Sequence, residues 1–251
     1  IKNPAARQKL LVLLANMLHS EKQYERTDAF EAVHKLGISA APITKDIVSL
    51  LDDENPVIKK EALDFISVAP AQAVKFGALE KIKNILKHEN ELIKISAIEC
   101  LGNMKKYAAI CLPELVNITE ENKIFRKASF NAIKKIGPPS KQQAEFLKDY
   151  LVGKSFSTKA LALSLLSGMG PEANDFVPDI ILLLKDKDPK IVQYARETLA
   201  KVGPASDKAV DGLILLLDDP NKEVKLRAIS ELADIGDKAS AAIGPLIRLT
   251  K

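Results

Sequence analysis

Three histidines, two cysteines and a surplus of lysine in mid-chain are the residues of this sequence whose types do chemistry. A zinc site needs three or four His, Cys or carboxylate ligands at close, recurring spacing. His19, His34 and His88 share no such spacing. Cys100 and Cys111 form neither a CxxC motif nor a disulfide framework, so they read as small buried apolar residues in a reducing compartment. The "DKD" at 186–188 has the start of a calcium loop but lacks its Gly and its distal bidentate Glu; a turn with a helix N-cap fits better. "GMG" at 168–170 falls at a helix end with no strand before it, which excludes a phosphate loop. Carboxylates are plentiful, yet no spacing pairs two of them for acid–base work. We therefore expect no catalytic residue, no metal ligand and no cofactor.

Lysine is the chemistry that remains. The chain carries 37 Lys and Arg against 33 Asp and Glu, a net charge of +4. Residues 81–148 hold 13 basic and 7 acidic groups, and the segments on either side are nearly neutral. At about 100° per residue from Phe125, Lys127 and Lys134 fall on the side of a helix opposite its apolar stripe. Lys106 falls similarly in the preceding segment, and Lys135 flanks the line. These four lysines are the expected binding residues for a protein or peptide, acidic where it meets them. A net +4 is weak for a phosphate grip, which argues against nucleic acid, and no motif points to a small molecule.

The elements that must hold these side chains are legible as a repeat. A small residue recurs at Ala29, Ala62, Ala97, Ser129, Ala162, Ala195 and Ala228, with spacings of 33, 35, 32, 33, 33 and 33. Four residues before it stand Glu25, Ile58, Ile93, Phe125, Thr158, Ile191 and Val224; four after it stand Val33, Ile66, Leu101, Ile133, Leu166, Leu199 and Leu232. A further column reads Leu18, Leu51, Leu86, Ile118, Leu151, Leu184 and Leu217. Spacings of i, i+3, i+4 mark one helix face, and the turn residues between the columns divide each unit into two helices. Asn55, Asn90, Asn122, Asp188 and Asn221 share one column and are expected N-caps. Gly37, Gly137, Gly170, Gly203 and Gly236 are expected helix stops, with Pro70 and Lys105 in the remaining places.

The 47% hydrophobic content, with 5% aromatic residues and no Trp, suits closely packed aliphatic helices. The predicted fold is all-α: a solenoid of about seven antiparallel helix pairs of 33 residues, over 7–40, 41–76, 77–109, 110–142, 143–176, 177–209 and 210–242, with a partial eighth at 243–251. Together they form one domain over 1–251. A helix pair cannot cover both of its apolar sides, so each stacks on its neighbours, and identities drift while residue kinds persist. No apolar run approaches the roughly 18 residues of a membrane span. No secretory signal is recognisable at the start, although a first residue of Ile1 is compatible with a missing upstream segment. A cytoplasmic location is the expectation.

These columns resemble the HEAT repeats, in particular the short HEAT-like repeats also found in phycobilin lyases. The most specific feature is a turn acid followed six residues later by a base: Asp53 with Lys59, Glu120 with Arg126, Asp219 with Lys225. Arg26, Lys94 and Lys159 keep the base without that acid, and Val192 replaces the base after Asp186. The resemblance implies a right-handed superhelix, a structural ladder at these positions, and a concave face lined by the second helices, where the four lysines would sit. It implies a non-enzymatic protein- or peptide-binding scaffold. Two alternatives share the fold. HEAT-like DNA glycosylases bind nucleic acid with aromatic residues that this Trp-free chain is short of; bilin lyases are brought in by the repeat type alone. Deoxyhypusine hydroxylases need several His–Glu pairs, and this chain has one, at His88 and Glu89.

Overall fold

The computed structural model describes residues 3–88, 90–121, 123–153, 155–203 and 206–249. Among these the regular structure is helical, with no strand. The chain divides into two compact units, Ile1–Gly137 and Pro138–Lys251. In unit 1, α1 (Pro4–Leu18) pairs with α2 (Gln23–Leu36), and α3 (Thr44–Ser49) precedes α4 (Pro56–Ile66). Then α5 (Pro70–Lys75) and α6 (Ala78–Ile85) precede α7 (Glu91–Met104), and α8 (Leu112–Ile118) precedes α9 (Lys123–Ile136). In unit 2, α10 (Leu147–Val152) leads to α11 (Phe156–Met169), α12 (Val177–Leu182) to α13 (Pro189–Val202) and α14 (Asp207–Leu216) to α15 (Lys222–Ile235); α16 (Ile243–Arg248) follows.

The expected columns form the cores of both units. All seven members of the small column are buried, Ser129 included, as are all seven of the column from Leu18 to Leu217. Small side chains let successive second helices approach closely, and at Gly102 a Cβ would lie 2.8 Å from the Ala132 Cα, so the backbones of α7 and α9 nearly touch there. Helix starts follow the cap column. Asn55 accepts from the Val57 N–H, Asn90 from Leu92 and Ile93, Asp188 from Lys190 and Asn221 from Glu223. Asn122 lies outside the described residues. Ser155 fills the same column in the "SFST" stretch and accepts from the Thr158 N–H, so this unit is capped despite lacking Asx and Pro.

The links between pairs differ from simple loops. Four second helices run directly into seven-residue 3-10 stretches, Gly37–Ile43, Lys105–Cys111, Gly170–Phe176 and Gly236–Ala242. Each opens on a residue with positive φ that reverses the chain tightly. Lys105 takes this position with φ 53° and ψ −138°, almost the geometry of Gly170 at 59° and −137°. At Pro70 the reversal is made otherwise: α4 ends through Ser67, whose Oγ donates to the Asp64 carbonyl, and Pro70 starts a new helix.

Three rungs of the ladder that the resemblance implies are present, each joining one repeat to the next. Arg26 pairs with Asp53 at 3.3 Å, Lys94 with Glu121 at 2.5 Å and Lys159 with Asp186 at 2.6 Å, each base reaching 27 residues on to the next repeat's turn. The three bases without an acid six residues earlier thus have their charge paired in the following repeat. Where Val192 removes a base, Lys185 at the end of the preceding 3-10 turn takes Asp219 at 2.8 Å. Asp53, Asp186 and Asp219 each use their other oxygen to accept the backbone N–H two residues on. One carboxylate therefore shapes a turn and fastens it to its neighbour.

Candidate partner-binding surface

On a second helix, the positions two before and two, five and six after the small column fall opposite the core. This face is exposed along α2 and α9. On α2, Glu31 is paired with Lys35 at 2.5 Å; on α4, Asp64 is paired with Lys60 at 2.6 Å. The equivalent of both acids on α9 is Asn131. Lys127, equivalent to Lys60, and Lys135, equivalent to Lys35, thus lack the carboxylate that neutralises their counterparts. Lys135 donates instead to the Asn103 Oδ1 at 2.9 Å. Lys134 adds a third positive group on the same face. Asn131 is the position that reading for lysines overlooks; aligning the acids by column reveals it.

The lysines singled out from sequence do not form one cluster. Lys106 and Lys135 line a depression of about 510 Å³ with Val68, Asn103, Lys105 and Tyr107, at the C-terminal ends of α4, α7 and α9. Lys127 and Lys134 are exposed on α9 and are not part of that lining. Lys106 requires a correction, because α7 ends at Met104. This lysine sits in the 3-10 stretch rather than on the outer face of the helix, with its Nζ 6.0 Å from the Tyr107 ring centroid. The positive-φ residue at Lys105 stops the helix earlier than periodicity alone implies. The walls combine exposed apolar groups, Val68 and Tyr107, with ammonium groups, a chemistry that suits a side chain with an apolar stem or a carboxylate.

Unit 2 has its own depression, of about 430 Å³, between α13 and α15 above α14. Arg196 bridges it, paired with Glu231 and lying 3.8 Å from Asp234. Its lining sets one cation, Arg196, against three carboxylates, Glu197, Glu231 and Asp234, so its surplus is acidic where that of α9 is basic.

The other chemical candidates are absorbed into structure. His19 lies 3.2 Å from Asp46 and His34 2.8 Å from Glu61, while the His88 Nδ1 accepts the Asn90 N–H at 3.0 Å. Glu89, the second half of the His–Glu pair, lies outside the described residues. No group of three or more His, Cys, Asp or Glu able to hold a metal occurs among the described residues. Burial raises the Cys100 thiol well above its ordinary value and pushes Cys111 up to about 12, so both are buried thiols rather than nucleophiles. Asp186 and Asp188 serve the turn and the cap. Gly168 of "GMG" faces Pro138, and Gly170 ends the helix. No helix among the described residues is long and apolar enough to cross a membrane.

No protein-family model matches the sequence, and no curated protein matches it. Among solved structures, the chain is similar to an archaeal HEAT-like repeats protein from Thermococcus onnurineus NA1, with 17% identity over 96% of this chain and 100% of that one, and a TM-score of 0.55. It is similar to an engineered protein with 18% identity over 94% of this chain and 72% of that one, and a TM-score of 0.54. Together with the ladder and the buried small column, these likenesses establish that the chain has the fold of the HEAT-like helical repeat proteins.

Proposed function

We propose that the chain is a non-enzymatic scaffold that binds a protein or peptide through the exposed face of its second helices, and that Lys127, Lys134 and Lys135 on α9, with Lys106 nearby, receive acidic side chains of the partner. The observation that carries this reading is the replacement by Asn131 of the acid that neutralises the equivalent lysines on α2 and α4. Ammonium groups whose charge no carboxylate balances attract a complementary partner and set its register. A repeat fold supports the reading by offering an extended surface rather than one enclosed pocket.

The test is fluorescence anisotropy with a labelled Glu-rich peptide, comparing the native chain with a variant carrying Lys106→Glu, Lys127→Glu, Lys134→Glu and Lys135→Glu. All four side chains are exposed, so the melting midpoint should hold while affinity falls by at least about tenfold. Equal affinity of the two proteins refutes the reading. A labelled DNA duplex run in parallel separates the nucleic-acid alternative: salt-sensitive binding tighter than that of the peptide would replace the proposal.

A further inference from the structure

The second residue of each second helix forms a column with a different character in the two units. In unit 1 it reads Tyr24, Val57, Leu92 and Ile124, which are 60%, 48%, 73% and 56% exposed. In unit 2 the same place holds Ser157, Lys190 and Glu223. Isolated exposed apolar residues are ordinary. Four at one register position on four successively packed helices, with none in the other three, form a row rather than scatter. The position lies five before the small column, within the outward stripe that also carries Lys127 and Lys134. The row therefore borders the same face at its N-terminal edge.

We infer that this row is a docking ridge for an extended peptide that presents an apolar side chain at about every third residue and acidic residues at the end lying over α9. The inference rests on the scaffold reading above and adds the partner's backbone form and pattern. Neighbouring packed helices lie roughly 8–10 Å apart. A polyproline II strand returns a side chain to one face every three residues, about 9 Å. A β-strand returns one every two residues, about 6.6 Å, and slips out of step with the helices. Four ridge residues thus match about ten residues of polyproline II chain crossing α2, α4, α7 and α9. Charge fixes the direction. Glu31 and Asp64 hold their lysines on α2 and α4, whereas Lys127, Lys134 and Lys135 on α9 have no carboxylate partner among the described residues, so the acidic end of the peptide belongs over α9.

The probe is a labelled thirteen-residue peptide with Leu at positions 1, 4, 7 and 10, Ser and Pro between them, and Glu at the last three positions. Its control has Ser in place of each Leu. We expect the Leu peptide to bind at least about tenfold more tightly than the control. Leu92→Ser with Ile124→Ser should reduce that difference to about threefold or less without moving the melting midpoint, since both side chains are exposed. Equal binding of the two peptides, or a preference undiminished by the double substitution, overturns the ridge. That result leaves the lysine reading intact, because its own test uses a Glu-rich peptide and the lysine variant. Failure of both peptides to bind also overturns the ridge. Self-association of the native chain that the double substitution abolishes would make a second copy the occupant and overturn the peptide assignment.

Discussion

Replacing Lys105 by Gly should stabilise unit 1. Lys105 has φ 53° and is the one non-glycine residue with positive φ among the described residues. The three other 3-10 stretches that open this way begin with Gly37, Gly170 and Gly236, at φ of 53° to 68° and ψ near −135°. A side chain in such a sparsely populated region costs about 1–3 kcal/mol. Gly removes that strain but adds about 0.5–1 kcal/mol of backbone freedom to the unfolded chain. With the loss of the lysine charge included, the net expectation is a gain of about 0.5 kcal/mol, or about 2 °C in the melting midpoint. Lys105 also lies just past the C-terminus of α7, where a cation contributes about 0.3–1 kcal/mol, so Lys105→Ala is the control that removes charge and keeps the Cβ. Calorimetry should place Lys105→Gly above Lys105→Ala by about 1 kcal/mol or more. Equal midpoints for the two variants would show that the Cβ is not strained and would refute the reasoning.

Acid should weaken unit 2 through its carboxylates. The Lys141 and Lys208 ammonium groups hold Asp175 down at about 2. Burial works to raise Asp186, yet the Lys159 hydrogen bond and the backbone N–H groups outweigh it and leave the value lowered; the Lys185 hydrogen bond lowers Asp219. Folded values below the unfolded one, about 3.9, mean that this stability is complete above about pH 4 and is lost as pH falls toward 2. Urea midpoints should drop across that window, and Asp175→Asn with Asp186→Asn should flatten the drop; an unchanged slope would contradict the pairing. Gly102→Ala should destabilise by about 1–3 kcal/mol, because its Cβ meets the Ala132 backbone at 2.8 Å. Gly212→Ala should be milder by chemical denaturation, since the atom it meets is the Ile181 Cδ1, the movable end of a side chain; equal losses would sink that distinction.

The helical repeat was legible because packing demands residue kinds at fixed spacing. The small column and the Leu18-to-Leu217 column are buried throughout, and the cap column holds even at Ser155. What the columns did not convey lies in the links. A 3-10 stretch has no apolar period of its own long enough to read. Its presence turned on one backbone angle, and at residue 105 that angle is adopted by Lys, against preference. This is why Lys106 was placed on a helix that ends two residues before it.

The ladder shows a different kind of limit. Within a repeat, Arg26, Lys94 and Lys159 look like bases that have lost their acids, because sequence neighbours are natural partners to seek. Stacking puts a base beside the turn of the next repeat, so the relevant separation is 27 residues, and the apparent losses are complete pairs. The same lesson governs the binding face. A lysine count marks residues 81–148 as basic but does not separate neutralised lysines from free ones. That separation depends on whether the residue four away is an acid, as at Glu31 and Asp64, or an amide, as at Asn131. An Asn131→Asp substitution accordingly restores the missing carboxylate between Lys127 and Lys135 without touching any lysine. If attraction by uncompensated charge is what the face supplies, that one change should weaken capture of the Glu-rich peptide in the same direction as lysine reversal.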